Sequence, residues 1–94
     1  MYRVTVLYES APDADSYTEH AELCAQVPGG IFRHGRITGA PMGEPAHAYY
    51  AEWEFADEQA FRSAIRSDEF MVTGKDAYKR GFPQPTVEFL ELDS

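Results

Sequence analysis

With 94 residues, 44% of them hydrophobic and 26% charged, the chain has room for one domain and none for the two-domain architecture of a larger enzyme. Eight Lys and Arg stand against 16 Asp and Glu, a net charge of −8 that repels phosphate and anionic lipid and argues against nucleic acid or membrane as partner. One cysteine allows no intrachain disulfide, and neither a membrane span of about 20 apolar residues nor a signal peptide is visible, which reads as a cytoplasmic domain.

Residues 2–8 alternate Tyr2, Val4, Val6 and Tyr8 against Arg3, Thr5 and Leu7, all good strand formers, and predict a first strand. A turn at Pro12 and Asp13 leads into a helix from about 14 to 26, with Ala14, Tyr17, Ala21, Cys24 and Ala25 at helical spacing. Pro28-Gly29-Gly30 stops it. A second strand follows over 31–38, then a loop through Pro41, Gly43 and Pro45. Residues 47–55 alternate again, with Tyr49, Ala51, Trp53 and Phe55 on one parity, and predict a third strand. Asp57 is a good N-cap for a helix carrying Phe61, Ala64 and Ile65. Ser67 starts a second helical piece that closes with Lys75, Lys79 and Arg80 before Gly81, as the helix dipole and a C′ glycine favour. Beyond Pro83 and Pro85, residues 86–92 predict a last strand.

The order β-α-β-β-α-β predicts an α+β, ferredoxin-like fold with a four-stranded antiparallel sheet and its second helix split in two. Strands one and three then lie in the centre, and strands two and four, bearing Arg33, Arg36, Glu88 and Glu91, at the edges. This arrangement leaves one sheet face without helices. Strand one is apolar on both faces, and strand four offers Val87 and Phe89 on one side with Leu90 and Leu92 on the other. Strands apolar on both faces expect cover on both. A homodimer through the helix-free sheet face supplies it most simply.

Few residues can carry chemistry. His20 lies three residues after Tyr17 and four before Cys24, so on a helix it borders the apolar stripe. An imidazole there can be an idle, hydrogen-bonded boundary residue or an acid/base at a pocket between helix and sheet. His34 falls on an edge strand and His47 beside a loop, and three histidines on three elements make no metal spacing; no metal is expected. Tyr17, Tyr49 and Trp53 serve as core or as the wall of an apolar pocket for a small hydrophobic or aromatic ligand. Cys24 reads as a small core residue, and the glycines form no phosphate-binding fingerprint.

Three segments resemble the EthD-like family of dimeric α+β-barrel proteins, named for ethyl tert-butyl ether degradation. They are V-T-V-L-Y at 4–8 with P-D-A-D-S-Y-T-E-H-A-E-L at 12–23, then Pro28-Gly29, then Y-A-E-W-E-F-A-D-E-Q-A-F-R-S-A-I-R-S-D-E-F at 50–70. Where that family continues H-x-P-L, this chain reads His20-Ala21-Glu22-Leu23. The resemblance implies one domain over residues 1–94, a homodimer, and a pocket between helices and sheet with His20 at the family's histidine. It implies catabolic or secondary metabolism by cofactor-free proton transfer of the isomerase, dehydratase or decarboxylase type, with His20 as acid/base. The alternative it implies is a non-catalytic accessory or ligand-binding protein supporting a partner oxygenase system. No cofactor is expected, since the second helix carries no histidine placed to ligate haem iron.

Overall fold

The computed structural model describes residues 1–93. In chain order these form β1 (Tyr2–Tyr8), α1 (Ala14–Cys24), β2 (Gly30–Arg36), β3 (Tyr49–Phe55), α2 (Glu58–Ile65), α3 (Asp68–Lys79) and β4 (Thr86–Glu91). The strands make one antiparallel sheet in the order β2-β3-β1-β4. The fold is the expected α+β ferredoxin-like βαββαβ, with β1 and β3 central and the second helix in two pieces. Its short dimension, in extents of 38 × 34 × 16 Å, is one helix layer on one sheet.

Local chemistry sets the breaks. Asp13, Asp57 and Ser67 cap the three helices by accepting from the backbone N–H of Ser16, Ala60 and Phe70. The Asp13 cap was legible only as a turn. α1 ends two residues earlier than the spacing predicts, where the chain turns through Gly29 at φ 77°. β2 stops at Arg36 and β3 starts at Tyr49, although one further pair, Ile37 N–H to the Ala48 carbonyl at 2.9 Å, extends the ladder.

Register decides which side chains meet the helices. Val4 lies opposite Trp53 and Phe89, and Phe32 opposite Trp53, so the even positions of β1 and the odd positions of β3 and β4 share the helix-covered face. Val4, Tyr8, Trp53 and Phe55 are buried there with Phe61 and Ala64 of α2. Gly30 is required at its place, because a Cβ would lie 2.6 Å from Cε1 of Phe55.

The helix-free face differs from the two-sided apolar expectation. Its centre is a lattice of ion pairs: Arg33 Nε donates to Glu52 Oε2 at 2.8 Å, and Arg33 and Arg3 both reach Glu54 Oε1, at 2.7 and 3.0 Å. The Tyr50 hydroxyl donates to Glu52 Oε1 at 2.8 Å, and Glu52 is only 6% exposed. Hydrogen bonds from Arg3 and then Arg33 hold Glu54 below the usual carboxylate range. Leu7, Ile31 and Leu90 lie on this face at the margins. Sequence alternation shows which residues share a strand face but not which oppose one another across strands, and cross-strand opposition pairs these charges.

Candidate functional site

α1 buries Tyr17, His20 and Cys24, so its inward direction passes through His20 itself, which lies on the buried stripe and not at its border. A histidine can occupy that place because its polar atoms find partners. His20 is 4% exposed, and its Nδ1 lies 2.8 Å from Asp76 Oδ2 on α3. The same oxygen accepts from Arg80 Nε at 2.7 Å. Arg80 Nη1 in turn donates to the Ser16 carbonyl and hydroxyl, both at 3.2 Å. Ser16, His20 and Cys24 thus form one edge of α1, Asp76 and Arg80 one edge of α3, and the polar chain ties the helices together.

Charge and tautomer follow from these contacts. Burial pushes Asp76 up, but the hydrogen bonds from Arg80 and His20 outweigh it and leave its pKa below the ordinary value. An ionised carboxylate only accepts, so His20 Nδ1 carries the proton and donates. In the neutral ring Nε2 is then the acceptor, and Cys24 Sγ lies 3.4 Å from it. Burial, then the nearby Asp76 charge, raises the Cys24 thiol to about 12. Cys24 therefore stays a thiol at neutral pH and can donate S–H to Nε2, not act as a ready thiolate.

Below this cluster, between α3 and the sheet, lies a cavity of about 310 Å³. Tyr17, His20, Cys24 and Trp53 line it, with Phe70 and Thr73 of α3. That volume sits at the small end for ligand pockets and its wall is mostly apolar with a few polar groups, as a small organic compound requires. Trp53 Nε1–H is committed to the Cys24 carbonyl at 2.8 Å, and the Thr73 hydroxyl to the Phe70 carbonyl at 2.6 Å. Burial raises Tyr17 above the ordinary tyrosine value and Tyr8 to about 12, so both phenols stay protonated.

Of the residues singled out in sequence, the structure brings His20, Tyr17 and Trp53 to the cavity and leaves Tyr49 outside it. Tyr49 packs behind Tyr17, with ring centroids 5.0 Å apart, and its hydroxyl meets His34 Nδ1 at 2.5 Å. Those two line a separate outer hollow with Pro12, Thr18 and Arg36. His47 sits in the loop before β3. Among the described residues no group of three or more His, Cys, Asp or Glu is placed to hold a metal ion.

Sequence reasoning missed Asp76 and Phe82. Asp76 left a signal, since an acid in the last turn of a helix opposes the dipole and asks for a partner. Phe82 left one too: after the C′ glycine Gly81, at φ 72°, a hydrophobic residue is expected to fold back. It does so onto His20, edge to face at 5.2 Å, and stacks on Tyr17 at 5.6 Å.

Comparison with known proteins identifies this architecture. No protein-family model and no curated protein matches the chain. Among solved structures it is similar to an EthD family protein from Bacillus halodurans, at 32% identity over 99% of both chains with a TM-score of 0.79. It is also similar to a dimeric ferredoxin-like protein of unknown function from Jannaschia sp., at 17% identity over 97% of this chain and 98% of that one, TM-score 0.71. A variant of SnoaB, a cofactor-independent oxygenase from Streptomyces nogalater, matches at 18% identity over 99% of this chain and 92% of that one, TM-score 0.60. The last two likenesses speak to the fold alone. The first, at that identity and over the full length, shows that the chain belongs to the EthD family.

Proposed function

We propose that this EthD family protein takes a small hydrophobic or aromatic compound into the cavity and moves a proton on it with His20. The carrying observation is the hydrogen bond of His20 Nδ1 to Asp76, which leaves Nε2 as the acceptor on a residue that lines the cavity. In the step, Nε2 accepts a proton from carbon beside a carbonyl, and the C–H electron pair passes into the enolate. Asp76 stabilises the imidazolium, and the proton returns at the same or a neighbouring carbon. Returned to carbon, the proton completes an isomerisation; in a dehydration the enolate expels a β-hydroxyl, which leaves with that proton as water; in a decarboxylation the enolate forms instead by loss of CO2, and the imidazolium protonates it. Tyr17 and Trp53 would hold the ligand's ring, and Tyr49 would act on it only by supporting Tyr17 from behind.

The test is solvent exchange. In deuterium oxide, a panel of small aryl ketones and unsaturated lactones is followed by NMR for C–H to C–D exchange beside the carbonyl. Catalysed exchange is expected with the wild type and absent with His20→Gln; equal exchange in both would overturn the assignment.

A ligand-binding, accessory role is the second reading. It is favoured by the fact that both ring nitrogens of His20 already have partners, Asp76 and Cys24. Binding that quenches Trp53, the only tryptophan, without any exchange would select it.

The proposal includes a homodimer through the helix-free sheet face. Its support is the open face itself, with Leu7, Ile31 and Leu90 around the ion pairs, and the dimeric description of the Jannaschia protein. Sedimentation at micromolar concentration should show the dimer, and a stable monomer would refute it. Among the described residues no helix is long and apolar enough to cross a membrane.

A further inference from the structure

The cavity reaches solvent between α3 and β4, where its lining includes the exposed Met71, Gly74 and Val87. Gly74 stands inside the twelve-residue α3, a place where glycine is among the least favourable residues. Nothing in the backbone asks for it, since the glycines with positive φ are Gly29, Gly43 and Gly81. Nor does packing: a Cβ at Gly74 would meet nothing within 4 Å. A side chain at this position would enter open space, and that space is the cavity mouth.

We propose that Gly74 determines the shape of the ligand by leaving a slot through which an apolar substituent passes out of the cavity. The ligand class is then an aryl compound whose ring lies against Trp53 and Tyr17 and whose alkyl or acyl chain crosses Gly74. The rim agrees with an apolar chain: Met71 is 54% and Val87 49% exposed, both turned to the opening rather than into the core. This inference rests on the reading of the cavity as a ligand site, not on the chemistry of His20.

The experiment titrates the intact protein with para-cresol and para-heptylphenol, following Trp53 fluorescence. Wild type is expected to bind both, the long phenol more tightly. Gly74→Leu should leave para-cresol affinity within about twofold and weaken para-heptylphenol at least about tenfold, the share of two methylenes no longer buried. Gly74→Ala should raise the melting temperature by a few degrees, as expected where only helix propensity changes. Gly74→Gln, bulky and helix-compatible, must reproduce the leucine result and guards against a folding defect in that variant. Long-phenol binding unchanged in both bulky variants overturns the slot while leaving the cavity a ligand site. Failure of wild type to bind either phenol overturns the ligand reading and the slot with it.

Discussion

Asp76→Asn isolates the charge in the polar chain between α1 and α3. The amide keeps the shape of the carboxylate, and its oxygen can take the place of Oδ2, which receives both His20 Nδ1 at 2.8 Å and Arg80 Nε at 2.7 Å. The flipped amide would set two donors against two donors, so the oxygen-in orientation is the one retained. What disappears is the charge assistance. A hydrogen bond to a charged group contributes about 1.5–3 kcal/mol and a neutral one about 0.5–1.5, so the His20 bond alone weakens by about 1 kcal/mol. For a domain of this size that is a fall in melting temperature of about 5 °C. The pH dependence gives the sharper check. Asp76 has a pKa depressed below the ordinary value, so its ionic contribution is fully present above that ordinary value. It is lost as pH falls through the depressed one. Calorimetry should therefore find the gap between wild type and Asp76→Asn full at pH 7 and shrinking below about pH 4. In the exchange assay the variant should lose at least about tenfold in rate while binding phenols within about twofold, because it loosens the tautomer and not the cavity wall. A gap of the same size at pH 3 and pH 7, or no gap at pH 7, would refute the reasoning.

Two further outcomes check the packing around the site. Gly30→Ala places a methyl 2.6 Å from Phe55 Cε1 in a fully buried ring, so urea unfolding should show a loss of about 1–3 kcal/mol with an unchanged slope; a loss below about 0.5 kcal/mol would contradict the geometry. With its thiol at about 12, Cys24 at pH 8 should react with iodoacetamide at least about a hundredfold more slowly in the folded protein than in urea, measured by mass spectrometry, and comparable rates would show that the thiol is not held as described.

The fold was legible because its signals are local. Alternation in β1 and β3, the caps Asp57 and Ser67, and the stop at Pro28-Gly29 each lie within a few residues of what they specify. Part of the candidate site was legible for the same reason: spacing put Tyr17 and Cys24 on the apolar stripe of α1 and His20 at its border, where the structure turns His20 fully inward. The rest depends on residues 56 positions away in the chain, as with Asp76 and His20. Spacing does not reveal that contact; only the return of α3 across α1 creates it. Tyr49 shows the converse limit. Its parity places it on the cavity's face of the sheet, yet it lies behind Tyr17 rather than in the cavity. The helix-free face failed at the same level, since Arg3, Arg33, Glu52 and Glu54 become a lattice only once β1, β2 and β3 are in register.

The break between α2 and α3 connects these observations. A single unbroken helix over the same span would run about 33 Å in one direction and hold its apolar stripe on the sheet throughout. Instead Arg66 caps α2, Ser67 starts α3, and α3 lies against α1 and α2. Two consequences follow. Val87 and Phe89 point to the helix side of the sheet yet remain 49% and 58% exposed, because helix cover over β4 is slight, with Phe61 of α2 meeting Phe89 edge-on at 5.2 Å. The room left under α3 becomes the cavity, walled by Trp53 below and Phe70 and Thr73 above. The same placement brings Asp76 to His20 and Arg80 to Ser16 and, through Gly81, folds Phe82 over the imidazole ring. Val87 of β4 and Gly74 of α3 both border that open space, while the carboxylate in the last turn of α3 is held beside it by His20 and Arg80.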